Sequence, residues 1–452
     1  MKQRPAAPRF ALRLLSAAGL LLLALAGFPA RAAPEPQPLP AEDTSKLRIT
    51  LTRLGCGIGR CPQYSVQIEG SGRVVFDGGG DLPAGQRFPT VVYRRPPFFS
   101  PDVVVPGRQE DHVPPEAVAA LVRRFEEAHF FDLADSYVAM VTDQPHYSLT
   151  LETSQGRKHI EDYAGTRVGM PAVVRTLEDD VDRVANTARW VDGAPGLVEW
   201  LAATGFDFTS VSAAALALRS PNPPATETVL GMIDRGLPLE TVARGRDGQP
   251  DSLVGLDLLR EAFKFGEAAI FKRLAAQGWL ARLPHQEIEE DFASNSAGCS
   301  PDLVDAAAAA GIKMDATTAA PGTDYGAGGT AFTGVGFATC KTEADRLETA
   351  KRLLAHGANP NHVDAVGRNA LFQVTSVEML SLLLAAGVDP NVRDKYGTTP
   401  VLHTDQDAIA LRLLEAGADP GGHDFQKHTL AQRTRIYTMP ATARWLAAHS
   451  SK

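Results

Sequence analysis

Two periodicities divide this chain. From Leu47 to Arg53 apolar and polar residues alternate, and Tyr64–Glu69 alternates likewise. A period of two puts one set of side chains on a single sheet face, so both segments predict strands. Gly70-Ser71-Gly72 then turns the chain into Arg73–Phe76, which completes a hairpin. Tyr147–Glu152 alternates again and pairs with Lys158–Tyr163 across Ser154-Gln155-Gly156. Between and after these strands the spacing becomes helical. Pro114-Pro115-Glu116 opens a helix with Val118, Leu121, Val122 and Phe125 on one side. A second helix runs from about Pro171 to Trp190 on Val174, Leu177, Val181 and Val184. Residues 79–110 are rich in Gly, Pro and Arg and read as a long excursion. The sum is an α+β domain over residues 46–191.

From residue 194 to the end only the helical period remains, and it repeats. Three segments align without gaps: Leu353-Leu354-Ala355-His356-Gly357, Leu383-Leu384-Ala385-Ala386-Gly387 and Leu413-Leu414-Glu415-Ala416-Gly417. Their glycines are 30 residues apart. Seven positions past each glycine stands an aspartate, Asp364, Asp394 and Asp424. Ten past it come Gly367, Gly397 and, as a departure, Lys427. Each position has a physical role. The Leu pair ends a helix whose apolar face needs a neighbour, and the glycine takes the left-handed conformation that stops it. Asn359-Pro360, Asp389-Pro390 and Asp419-Pro420 keep the helix from resuming. The Asp-x-x-Gly segment makes a tight turn. Thr399 caps the next helix, with Pro400 at its first position.

Turn, helix, short loop, helix, in repetition, resembles the ankyrin family. Gly397-Thr398-Thr399-Pro400-Val401-Leu402 is similar to that family's Gly-x-Thr-Pro-Leu-His, with the last two positions changed, and Gly367-Arg368-Asn369-Ala370 is a looser match. The resemblance implies an all-α ankyrin-like repeat solenoid over residues 194–452, clear at 345–452 and degenerate before. Upstream, Gly205, Gly236, Gly278 and Gly311 follow apolar runs at irregular spacing. The segment around Ala319–Gly329 reads as a Gly-, Ala- and Thr-rich loop. Arg444-Trp445-Leu446-Ala447 matches the end of a repeat helix and is expected to cap the stack.

The first residues change the picture of where this happens. Lys2, Arg4 and Arg9 precede an apolar run from Leu14 to Ala26, and Ala30-Arg31-Ala32 offers small residues for cleavage. Residues 1–32 therefore read as a signal peptide and 33–45 as a flexible, Pro-rich leader. The run is short for a spanning helix, so no stable membrane anchor is expected after cleavage. The expected location is the periplasm. Without the first 32 residues, 40 basic side chains face 53 acidic ones, a net charge of -13. Such a chain repels phosphate backbones, which argues against nucleic acid as a partner.

Four cysteines suit an oxidising compartment. Cys56 and Cys61 enclose a short glycine-containing loop and are expected to form a disulfide. A redox dithiol is the alternative, although the spacing is not Cys-x-x-Cys. Cys299 and Cys340 read either as buried thiols or as a link between repeats. Cys61-Pro62-Gln63-Tyr64 followed by Gly72-Arg73-Val74 resembles a bacterial domain family of unknown function found in exported proteins, to which no activity is assigned. Asp143, His146, Asp162 and Tyr163 are an acid, base and hydroxyl set that hydrolysis would need. The plainer reading is a turn aspartate and ordinary strand side chains. His112, His129, His146 and His159 are too scattered for a metal set, and no cofactor or metal is expected.

The expectation is a non-enzymatic, exported protein that binds a protein partner. The expected contacts are hairpin-tip residues of the repeats: Arg368, Arg393, Lys395, Tyr396, Phe425 and Lys427. Arg and aromatic side chains suit interface hot spots, though each could equally be a solvated turn residue. The alternatives are an enzyme or thiol-redox module in residues 46–191, or an immunity or inhibitor protein against an envelope-acting toxin.

Overall fold

In the computed structural model, residues 44–449 are described except 56–60, 81, 83–84, 95–101, 220–223, 246–247, 295–298, 319–326, 336–339 and 341. The signal-peptide segment, nearly all of the leader, Cys56 and most of the loop at 319–329 lie outside the described residues.

The alternating segments form one mixed sheet. Its strands are β1 (Arg48–Leu54), β2 (Tyr64–Glu69), β3 (Arg73–Asp77), β4 (Arg108–His112), β5 (Ser136–Val138), β6 (His146–Thr153) and β7 (Gly156–Tyr163). They lie in the order β4-β3-β2-β1-β6-β7-β5, with every neighbour antiparallel except the parallel pair β5 and β7. Helices α1 (Pro115–Glu127) and α2 (Ala172–Ala185) pack together against the sheet. Ile49, Leu51, Val66, Ile68, Leu149 and Leu151 meet Val118, Leu121, Phe125, Val174, Leu177 and Val181 in a buried core. At roughly 25 cal/mol per Å² of apolar area, this burial is what fixes the strand register.

β4 and β5 escape the sequence pattern. β4 reads Arg-Gln-Glu-Asp-His, polar at every position because it is an edge strand, and β5 has three residues. The helix read as 171–190 is two helices. Asn186 adopts a left-handed conformation that ends α2, and α3 (Ala188–Val191) comes next.

The excursion at 79–110 joins the sheet to the helical region. The Val104 and Val105 N–H groups donate to the Val191 and Trp190 carbonyls at 3.1 and 2.8 Å. Farther on, the Arg94 N–H donates to the Arg244 carbonyl and the Arg244 N–H to that of Val92, at 3.1 and 2.9 Å, and the Arg94 guanidinium holds the buried Asp257 carboxylate at 3.0 Å. Trp190 stacks on Phe76 at 4.9 Å and meets Trp200 edge-on at 5.5 Å. One apolar core therefore runs from the sheet into the helices.

The helical region comprises α4 (Leu197–Ala203), α5 (Val211–Ala217), α6 (Thr226–Asp234), α7 (Val254–Phe265), α8 (Ala268–Ala276), α9 (His285–Ser294), α10 (Pro301–Ala309), α11 (Ala331–Gly334), α12 (Glu343–Ala355), α13 (Val377–Ala385), α14 (Pro400–His403), α15 (Asp407–Glu415), α16 (Leu430–Ile436) and α17 (Pro440–His449). Their contacts run in two lines. One passes through α4, α6, α8, α10, α12, α13, α15 and α17. The other passes through α7, α9, α11, the 3-10 turn Ala370–Gln373, α14 and α16. Gly205, Gly236, Gly278 and Gly311 all have positive φ after a helix of the first line, as Gly357, Gly387 and Gly417 do. Their irregular spacing in sequence hides this common position. Cys299 and Cys340 form a disulfide between the start of α10 and the residues before α12.

Candidate functional site

The turns at Asp364, Asp394 and Asp424 are built alike. In each, the aspartate Oδ1 accepts two backbone N–H groups: Val366 and Arg368 for Asp364, Tyr396 and Thr398 for Asp394, Gln426 and His428 for Asp424, all at 2.9 Å. Gly367, Gly397 and Lys427 take the left-handed position of the turn, at φ +85°, +78° and +69°. The lysine keeps the conformation without glycine's ease. Asp424 is held below the ordinary carboxylate range: burial opposes its charge, but the His428 N–H and the Arg433 guanidinium outweigh burial.

Neighbouring turns are tied together. Lys395 N–H donates to the Val366 carbonyl at 2.8 Å, and Ala365 N–H to that of Ala327 at 2.8 Å. At their bases Asn361 donates to the Gly387 carbonyl and accepts from Asp389 N–H, at 2.9 and 2.8 Å. Asn391 repeats this with Gly417 and Asp419 at 3.1 and 2.7 Å. Gly421 occupies the same place in the third unit and has no side chain to continue the pattern.

On this frame Tyr396 and Phe425 are 51% and 59% exposed, flanked by the exposed Lys395 and Lys427. Arg393 lies beside them but is engaged, bridging Asp419 at 3.2 Å and the Gly397 carbonyl at 3.2 Å. Arg368 corrects the sequence reading. Although its backbone belongs to a turn, its guanidinium turns inward onto Asp394 and is buried. It holds two units together and is closed to a partner. Thr399 differs too: it sits at the N-cap with Pro400 after it, yet its hydroxyl makes no capping bond. Asn369 and Thr429 do cap their elements.

The front domain carries a charged cluster that the alternation pattern did not disclose. Tyr147 lies between two guanidinium groups, Arg53 at 4.5 Å and Arg175 at 4.6 Å from its ring centre. Arg53 Nε and the Tyr64 hydroxyl both reach Asp182, each at 2.8 Å. Burial pushes the Glu178 carboxyl up to about 7, against the pull of Arg175 at 3.0 Å. Arg53 at an inward strand position was the one visible sign of this cluster.

Of the acid, base and hydroxyl set, Asp162 is parted from the rest, while the Gln144 N–H next to Asp143 donates to the Tyr163 hydroxyl at 3.4 Å. His146 and Tyr163 face each other across β6 and β7, with ring centres 5.9 Å apart. Asp162 points to the helix-covered side instead, taking the Gly165 N–H at 2.8 Å and the Arg175 guanidinium. His159 bonds to Thr150 on the open sheet face at 2.8 Å. Among the described residues no three His, Cys, Asp or Glu side chains group as a metal site. Cys61 is disulfide-bonded, and Cys56 lies outside the described residues. No described helix is long and apolar enough to cross a membrane.

Residues 47–185 match the model of a family described as a domain of unknown function (DUF6438). That match spans β1 to the end of α2, the sheet and its two covering helices. No curated protein matches the chain.

Proposed function

We propose that the protein is an exported, ankyrin-like repeat protein that binds a protein partner through its turn tips. The observation that carries this reading is the rigid display of Tyr396 and Phe425 between Lys395 and Lys427. Exposed aromatic side chains flanked by cations suit interface anchors, and a frame fixed by Asp394 and Asp424 spares the ordering entropy of binding. The two lines of helix contacts, the left-handed glycines and the turn-to-turn bonds support a continuous solenoid from α4 to α17. The basic, Leu-rich front of the sequence supports export to the periplasm, and the two disulfide-bonded sites suit that compartment.

The test uses a photo-crosslinking residue at Tyr396 or at Phe425 in the native host. A discrete adduct at both positions, absent with the probe at exposed Glu378 on α13, is the expected result. No adduct at the tips, or the same adducts at Glu378, overturns the site. Cell fractionation with sequencing of the mature N-terminus checks the location. A protein found in the cytoplasm with Met1 retained rules export out.

A further inference from the structure

A pocket lies in the sheet domain, away from the turn tips. Leu47 before β1, Leu151 at the end of β6, and Val122 and Phe125 in the last turns of α1 surround a pocket of about 330 Å³, with Phe130 at its base. These five side chains are all at most 6% exposed, so the floor is core hydrocarbon. A pocket of this size takes one ring with a short arm.

The backbone shapes the pocket directly. α1 ends as His129 takes a left-handed conformation, φ +49° and ψ +47°. That reversal sends Phe130 into the core, where it meets Phe125 edge-on at 4.8 Å. Phe131 is left outside, 44% exposed, on the pocket wall. Its ring lies over the β6–β7 turn, 4.0 Å from where a Cβ at Gly156 would be.

The rim is acidic. Glu126 and Asp132 are exposed at the mouth, and neither is paired with a cation among the described residues. Three nearby cations are paired elsewhere: Arg124 with Asp180, Arg157 with Glu152 at 3.1 Å, and Lys158 with Asp135. The C-terminal end of α1 adds its partial negative charge at the same place. We infer that this pocket binds a small organic cation, an ammonium or amidinium carried on an apolar ring, with the ring on Phe125 and Leu151 and the charge between Glu126 and Asp132. Phe131 closes over the ring and supplies a face to the cation.

The experiment titrates the mature protein with 2-phenylethylammonium, neutral 2-phenylethanol and anionic 3-phenylpropionate, followed by ligand-observed NMR. Saturable binding in the order cation, alcohol, anion is expected, with the cation ahead of the alcohol by roughly fivefold, as two solvent-exposed carboxylates supply. Glu126→Gln with Asp132→Asn removes that preference and leaves binding of the alcohol unchanged. Phe131→Ala weakens all three, and Glu116→Gln, at the far end of α1, changes nothing. Equal affinity for cation and alcohol, a preference that survives E126Q/D132N, or no saturable binding of the cation overturns the assignment.

Discussion

Arg368 and Asp394 meet across two successive turns, with Nε and Nη2 of the guanidinium 3.1 and 3.0 Å from one carboxylate oxygen, Oδ2. The other oxygen, Oδ1, is already occupied by the Tyr396 and Thr398 N–H groups. One aspartate thus shapes its own turn and fastens the turn before it. Removing one partner from a buried pair leaves a charge without compensation. Arg368→Ala is expected to cost about 3–5 kcal/mol in urea unfolding, and Arg368→Met nearly as much, because either leaves the buried Asp394 carboxylate unpaired. A much smaller loss for the Met variant would show that packing, and not the ion pair, holds these units.

Lys427 sits where the two preceding turns have glycine. A non-glycine residue in the left-handed region is strained, so Lys427→Gly is expected to raise stability by about 1 kcal/mol. Thermal unfolding checks the sign. A lower Tm would mean that the lysine side chain contributes more than its backbone costs.

The Cys299–Cys340 disulfide closes a loop with a sequence separation of 41. It encloses α10 and α11, and α11 is a single turn. By loop-closure entropy the bond is worth about 4 kcal/mol. Cys299→Ser with Cys340→Ser is expected to raise amide exchange in α10 and α11 by orders of magnitude, while the units after α13 exchange as before. Uniform exchange along the chain would exclude a local staple.

Glu178 gives a pH dependence of unusual sign. Its carboxyl is raised from 4.5 to about 7 by burial, so the folded protein binds more protons than the unfolded chain between those values. Stability therefore falls as pH rises through that window and levels off above it, by roughly 3 kcal/mol in all. Glu178→Gln is expected to flatten most of this fall and to raise Tm at pH 8. Asp291, pushed up to about 6 by burial, leaves a smaller slope of the same sign. An unchanged pH profile in the variant would show that Arg175 keeps Glu178 ionised.

Tyr396 and Phe425 project from turns held by other residues. Tyr396→Ala with Phe425→Ala is expected to leave Tm within about 2 °C, since exposed substitutions shift stability by less than ~0.5 kcal/mol. The same variant weakens capture of the partner at least tenfold if these are anchors. A large drop in Tm would recast both rings as structural.

The sequence alone determined the local devices, because they depend on residues close in the chain. Alternation marked β1, β2 and β6, the glycine turns marked β3 and β7 as their hairpin partners, and the Leu-Leu…Gly…Asp spacing marked three turns whose hydrogen bonds close within five residues. It also carried the Cys-Pro-x-Tyr resemblance over the stretch that matches the family of unknown function. Only the tertiary structure decided what each device faces. Strands β4 and β5 bury too little to leave a pattern. Gly205, Gly236, Gly278 and Gly311 share a position that insertions conceal. The guanidinium of Arg368 turns inward because the carboxylate that receives it stands 26 residues away. The pocket beneath Phe131 exists only where β1, β6 and α1 converge, and no periodicity records a convergence.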